Sequence, residues 1–175
     1  MFNSGWVSQQ MAKFVVFIWK RAQILVAETW AAFFPASPAV SHPIFPGPAG
    51  PAIQNLTMFA DYRVPQILHH LRILAYPASL VQMLQAGTLL APGSREEISV
   101  RAASIVAVER VREEIMRTWE KDTRAKNGES DGISSVLIDF YLWGLAKKLE
   151  SGDEMVVGID TAKMVPAHRT RSIWY

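Results

Sequence analysis

The chain has 175 residues, 50% hydrophobic and 19% charged, with a net charge of +2. That is material for one globular domain with an ordinary apolar core, and it excludes a disordered chain and a strongly basic nucleic-acid surface. The absence of cysteine excludes disulfides and thiolate metal sites and fits a reducing compartment.

In chain order, the opening "MFNSGWVSQQ" lacks the basic and apolar regions of a signal peptide. "FVVFIW" (Phe14–Trp19) stops at Lys20-Arg21, short of the ~20 residues a membrane span needs. A soluble, cytoplasmic protein is expected. The first helix is predicted from about Met11 to Phe34, ending before Pro35, and its apolar positions surround Lys20, so it should be largely buried. "PASPAVSHPIFPGPAGPA" (35–52) reads as a surface excursion, partly polyproline-like. Six of the ten prolines fall between Thr29 and Ala60, so that uncharged region is no single helix. A short helix is predicted to open at Pro65 and another after Pro77, ending near "QAGTLL". Ser94-Arg-Glu-Glu97 fits a capping box, and behind it Ile98, Ala102, Ile105, Val108, Val111, Ile115 and Trp119 recur at helical spacing. On this helix the arginines of "VERVREEIMR" alternate with glutamates, the pattern of a solvated face. "TRAKNGESDG" is a polar turn, "ISSVLIDFYLWGLAKKLE" a last long helix, and "VPAHRTRSIWY" the tail. No strand alternation persists, which predicts a single all-α helical domain over residues 1–175.

Asp139 is the first residue whose position needs a physical account. In "VLIDFYLW" it has large apolar neighbours on every side of the helix, where a carboxylate costs several kcal/mol unless it is paired or protonated. A structural ion pair and a functional carboxylate both meet that requirement. One turn on, Trp143 shares its face and is either core or a ring that stacks on a planar ligand. Lys20 poses the same problem with the opposite charge: it points inward to a carboxylate or snorkels to the surface. Asp61, in "LTMFADYRVPQIL", has three readings: helix cap, partner of Arg63, or substrate contact. With Pro65 at its favoured first helical position, Val64 becomes the cap and Asp61 stands upstream. As the cap, Asp61 would put Pro65 at the fourth position, where the missing N–H removes an intrahelical bond. An adjacent loop pair with Arg63 stabilises little, which favours a functional carboxylate. His69 and His70 point about 100° apart on a helix and cannot ligate one ion, so no metal is assigned. There is no phosphate-cradling Gly loop and no nucleophile motif.

Five blocks, "KRAQILVAETW", "LTMFADYRVPQIL", "GSREEISVRAASIVAVE", "IDFYLW" and "HRTRSIWY", resemble the queuosine salvage protein family and occur in its order. The resemblance implies an all-helical fold likened to that of DNA glycosylases. It also implies hydrolysis of the N-glycosidic bond of queuosine 5′-phosphate, releasing queuine and ribose 5-phosphate for tRNA queuosine modification. It makes Lys20, Asp61 and Asp139 the catalytic set, the same three residues that the burial and capping arguments isolate. A positively charged, oxocarbenium-like ribose is stabilised by nearby carboxylates, one of which can activate water. Asp139 is assigned to water activation or charge stabilisation, Asp61 to ribose hydroxyls or the base, and Lys20 to holding a carboxylate ionised. Tyr62, Arg63, Trp143 and His168 are assigned to substrate contacts, Arg63 and His168 polar or to phosphate, Trp143 by stacking. No cofactor is expected, and no direct contact with nucleic acid or membrane. The chain departs from the family in Gly144, where members commonly carry Asp, in Ala167, where a bulkier residue is usual, and in length, since it matches only the C-terminal half. The alternative expectation is a non-catalytic helical module that needs a partner chain or that N-terminal half. An apolar last helix, if uncovered, predicts self-association or pairing with a complementing chain.

Overall fold

The computed structural model describes residues 18–34, 42–45, 53–124, 133–152 and 156–172. Among them lie five α-helices, α1 (Lys20–Ala32), α2 (Arg63–His70), α3 (Ala78–Gln85), α4 (Arg95–Arg124) and α5 (Ser135–Ser151), with a 3-10 turn at Ile53–Asn55 and no strand. A parallel bridge pairs Leu89 with Arg169. The chain is all-α, as its pattern predicts. Residues 11–17 of the expected first helix, most of the Pro-rich stretch and 125–132 of the polar turn lie outside the described residues.

Capping sets the start of some helices and backbone conformation that of others. Lys20 opens α1 instead of lying inside a longer helix, because Ile18 and Trp19 are not helical and no side chain caps Trp19. A run that is apolar at every position does not distinguish helix from irregular chain by its period. α3 begins behind Pro77, whose backbone is extended. At α4 the capping box forms in part: the Glu97 N–H donates to Ser94 Oγ at 3.3 Å. The Glu97 side chain reaches past Ser94 to the Gly93 N–H at 3.1 Å. α5 is capped by Ser134, which accepts from the Leu137 N–H, and ends at Gly152 in the left-handed conformation.

The main core joins α2, α4 and α5 through Val64, Ile67, Leu68, Val108, Ile138 and Leu142, with Met58 and Ala60 between them. Ala27 of α1 meets Ile53, Phe59 and Val136 in a second cluster. Leu80 and Leu84 of α3 pack with Leu90, Val100 and Val165 in a third. The expected surface excursion is anchored in part. His42 is buried, its Nε2 bonds the Trp30 carbonyl at 3.0 Å, and its Nδ1 accepts from the Ile44 and Phe45 N–H groups. Because Nδ1 accepts, Nε2 carries the proton. α5 is not covered on every side: Leu137, Phe140, Tyr141 and Trp143 are exposed. No helix among the described residues is long and apolar enough to cross a membrane.

Gly144 sits inside α5, and a methyl group placed there meets no atom within 4 Å. Glycine inside a helix costs about 0.5–1 kcal/mol relative to alanine. Gly144→Ala is therefore expected to raise the thermal midpoint by ~1–4 °C, followed by circular dichroism. A lowered midpoint contradicts the open space seen at this position.

Candidate active site

Met58, Phe59, Ala60 and Asp61 are buried and belong to no helix. Buried irregular backbone must pair its N–H and C=O groups or lose about 1–3 kcal/mol for each one left over. Partners for two of these groups come from α5 and α4, and a side chain of α1 anchors the residue just upstream. The Phe59 N–H donates to Asp139 Oδ2 of α5 at 2.8 Å. The Ala60 carbonyl accepts from Arg101 Nε of α4 at 2.9 Å. Just upstream, Gln23 Nε2 of α1 donates to Thr57 Oγ1 at 3.0 Å.

Asp61 carries this segment into α2. Its Oδ1 accepts from the Arg63 N–H at 3.0 Å and the Val64 N–H at 2.9 Å. Asp61 thus caps the first turn, and α2 starts at Arg63, not at Pro65 with Val64 as its cap. The sequence argument against capping fails because Pro65 occupies the third helical position, where no intrahelical N–H bond is lost. Both capping bonds use Oδ1, so Oδ2 stands outside the cap. The capping and ligand-binding readings of Asp61 no longer compete.

Around this segment the chain gathers a set of interacting charges. Lys20 is buried at the start of α1, where the positive helix end opposes a cation. Burial lowers its pKa, the Asp61 and Asp139 carboxylates raise it, and Arg101 and Arg21 lower it. Burial pushes the Asp61 carboxyl up, against its two backbone bonds and Lys20. Asp139 is pushed up to about 7, first by burial and further by the charge on Asp61, while the Phe59 N–H and Lys20 act against the shift. His168 is buried and depressed to about 4 by burial and by Arg101 and Lys20, which leaves it neutral near pH 7. The arrangement therefore holds one carboxyl balanced between acid and base at neutral pH, beside a second carboxyl and a lysine.

The other expected contacts divide into two places. The Arg63 guanidinium pairs with Glu150 and lies 5.4 Å from the Trp143 ring centre and 5.8 Å from that of Tyr62. Lys147 Nζ is 4.8 Å from the Trp143 ring. Trp143 is thus a half-exposed platform between two cations, outside the buried charge cluster. His168 and Tyr62 line a cavity of about 620 Å³ together with Gln66, Glu150 and Thr170. His69 bonds the Leu74 carbonyl and stacks on Tyr76, while His70 bonds the Ala162 carbonyl. No group of residues that could hold a metal occurs among the described residues.

Sequence reasoning missed Arg101 and saw only half of Glu97. Arg101 Nη1 bonds Glu97 Oε1 at 2.8 Å, with both side chains nearly covered. The available signal was the spacing of four between Glu97 and Arg101 in "EISVR", a helical ion pair amid apolar neighbours. Gln66 was missed as well, since an isolated glutamine carries no pattern.

Arg101→Met strands the Glu97 carboxylate and the Ala60 carbonyl in the interior. A loss of about 3–5 kcal/mol is expected in urea unfolding; a loss under ~1 kcal/mol would show the pair to be replaceable. Asp139 gives a pH-dependent test. Its folded pKa is raised above the ordinary 3.8 to about 7, so the folded state binds the extra proton. The associated stability is full below about 3.8 and is lost as pH rises through 7. Asp139→Asn keeps an acceptor for Phe59 and removes this loss, so at pH 8 it is expected to be more stable than the parent by on the order of 1–4 kcal/mol. Equal destabilisation of the variant at pH 5 and pH 8 would refute the raised titration.

The profile of the queuosine salvage protein family matches residues 8–175. A queuosine 5′-phosphate N-glycosylase/hydrolase of Mus musculus is 38% identical over 157 residues, 90% of this chain and 40% of the relative. Proteins of the same name are 39% identical in Schizosaccharomyces pombe, over 89% of this chain and 39% of the relative, and 34% identical in Sphaerobacter thermophilus, over 90% and 39%. The chain spans about two fifths of the length of these curated relatives. A match running through Lys20, Asp61 and Asp139 to the tail that carries His168 places the chain in the queuosine salvage protein family.

Proposed function

We propose that this chain carries the catalytic carboxylates of an N-glycosidase that hydrolyses queuosine 5′-phosphate to queuine and ribose 5-phosphate in the cytoplasm. The observation that carries the reading is Asp139, a buried carboxyl held near neutrality beside Asp61 and Lys20. The curated relatives' printed activity supports the same substrate.

In this reaction the C1′–N bond breaks and its electron pair leaves with the base. The ribose becomes an oxocarbenium-like cation, water adds its oxygen to C1′, and the base nitrogen ends protonated. Ionised Asp139 stabilises the cation or takes the proton of the attacking water. Asp61 uses one oxygen to cap α2, which fixes the carboxyl rigidly and leaves its second oxygen for the ligand. Lys20 favours ionised Asp139 and offsets part of the charge of the two acids. Tyr62, Arg63 and Trp143 form an aromatic and cationic rim, and neutral His168 offers a polar contact. The exposed row of Leu137, Phe140, Tyr141 and Trp143 on α5 supports packing against a second copy or a complementing chain that completes the pocket.

The test is release of queuine from queuosine 5′-phosphate by the purified chain. The rate should rise with pH through about 7 as Asp139 ionises. Asp139→Asn should lose about 10²–10⁴-fold in turnover. Because Lys20 lowers the Asp139 pKa, Lys20→Met should move the rise to higher pH. Near-parental turnover by Asp139→Asn would sink the role given to that carboxylate.

A further inference from the structure

The cavity of about 620 Å³ beside the charge cluster is lined by Gln66 and Thr170, each with a buried polar atom just beneath the wall that the proposed chemistry does not use. Gln66 is 7% exposed, and its Nε2 donates to the Val165 carbonyl at 2.9 Å. That bond fixes which way the amide faces, since a carbonyl accepts only from the nitrogen. The other amide atom, Oε1, is buried and has no hydrogen-bond partner among the described residues. The same holds for Thr170 Oγ1 in the cavity wall. A buried acceptor without a donor is destabilising, so a site that keeps one is matched to a ligand that supplies the donor.

The chemistry of that ligand group follows from the wall. Glu150 already pairs with Arg63, so a cation finds no unpaired carboxylate there. Arg169 also lines the cavity and suits an anion at its own side, but beside Gln66 Oε1 an anion would meet that atom's lone pairs. A hydroxyl donates to Gln66 Oε1 and can also accept from, or donate to, the Thr170 hydroxyl. The cavity adjoins the cluster through Tyr62, next to Asp61, and through His168, whose pKa is lowered by burial and further by Arg101 and Lys20 of the cluster. The part of a nucleotide that must lie nearest those carboxylates is the ribose, because its C1′ is the reacting atom.

We infer that this cavity holds the ribose of the substrate, with Gln66 Oε1 accepting a hydrogen bond from a ribose hydroxyl and Thr170 Oγ1 bonded to that hydroxyl or its neighbour. Gln66 and Thr170 are then specificity-determining residues for a ribonucleotide over a deoxyribonucleotide. The inference rests on the nucleotide reading above.

The experiment measures dissociation constants by calorimetry for queuosine 5′-phosphate and its 2′-deoxy and 3′-deoxy analogues. Asp139→Asn serves as the non-hydrolysing background, with parent binding also measured on the unsubstituted chain. One deoxy analogue is expected to bind about 10-fold or more weakly than the parent. In Gln66→Met, and to a smaller extent in the isosteric Thr170→Val, that difference should shrink to about 2-fold or less while the thermal transition stays cooperative. If both deoxy analogues bind as tightly as the parent, the sugar assignment is overturned and the nucleotide reading stands. If the discrimination survives in Gln66→Met, the role of Gln66 is overturned alone; a base contact would appear as Gln66→Met weakening all three ligands equally. If Gln66→Met does not fold, the analogue series on the chain with Gln66, together with Thr170→Val, still decides the assignment. No binding of the parent nucleotide by the unsubstituted chain overturns the functional reading and this inference together.

Discussion

The structure is organised around the need to hydrogen-bond a short irregular backbone segment deep in an otherwise apolar interior. Met58–Asp61 lies in the chain between α1 and α2, and it has no ladder or helix to satisfy its polar groups. Remote side chains meet two of them, Asp139 the Phe59 N–H and Arg101 the Ala60 carbonyl, and Asp61 ties the segment to the start of α2. The residues that tie the segment in place are also the charged residues of the candidate site, so positioning the carboxylates and stabilising the core are one set of hydrogen bonds.

That coupling explains why the charges are tolerated. A lone buried carboxylate would shift its pKa until it became neutral. Here Asp139 stops near neutrality because the Phe59 N–H and Lys20 favour its ionised form while burial and Asp61 oppose it. Lys20 at the positive end of α1 is unfavourable by itself and is compensated by the same acids. The cluster therefore sits at some cost in stability, which is the usual condition of a group kept reactive in a folded interior. The tail contributes through Val165, which orients Gln66, and through His168, kept neutral by burial first and then by its cationic neighbours.

The helix class, the capped start of α4, and the burial of Lys20, Asp61 and Asp139 as charges that need partners were legible in the chain alone. They follow from local rules: Ser94 and Glu97 fit a box because capping acts within one turn, and Asp139 and Lys20 are conspicuous because charge inside an apolar run always needs an account. The resemblance of the family blocks implied that these acids act together. Less was legible where local rules compete. Pro65 suits the first helical position by preference, yet any of the first turn's positions leaves its missing N–H without consequence, so the choice passed to Asp61.

What only the tertiary structure decided are the partnerships that link distant segments: Phe59 with Asp139, Arg101 with Ala60, and Gln66 with Val165. A sequence specifies that a buried polar group must be satisfied but not by which remote residue, because that depends on how the helices pack. The same limit applied to Trp143, which shares a helix with Asp139 yet lies among Arg63 and Lys147 at the surface. Residue type and local spacing thus determined the chemistry available to this protein. The packing of α1, α4 and α5 around one irregular segment decided which of those groups meet and how each one is charged.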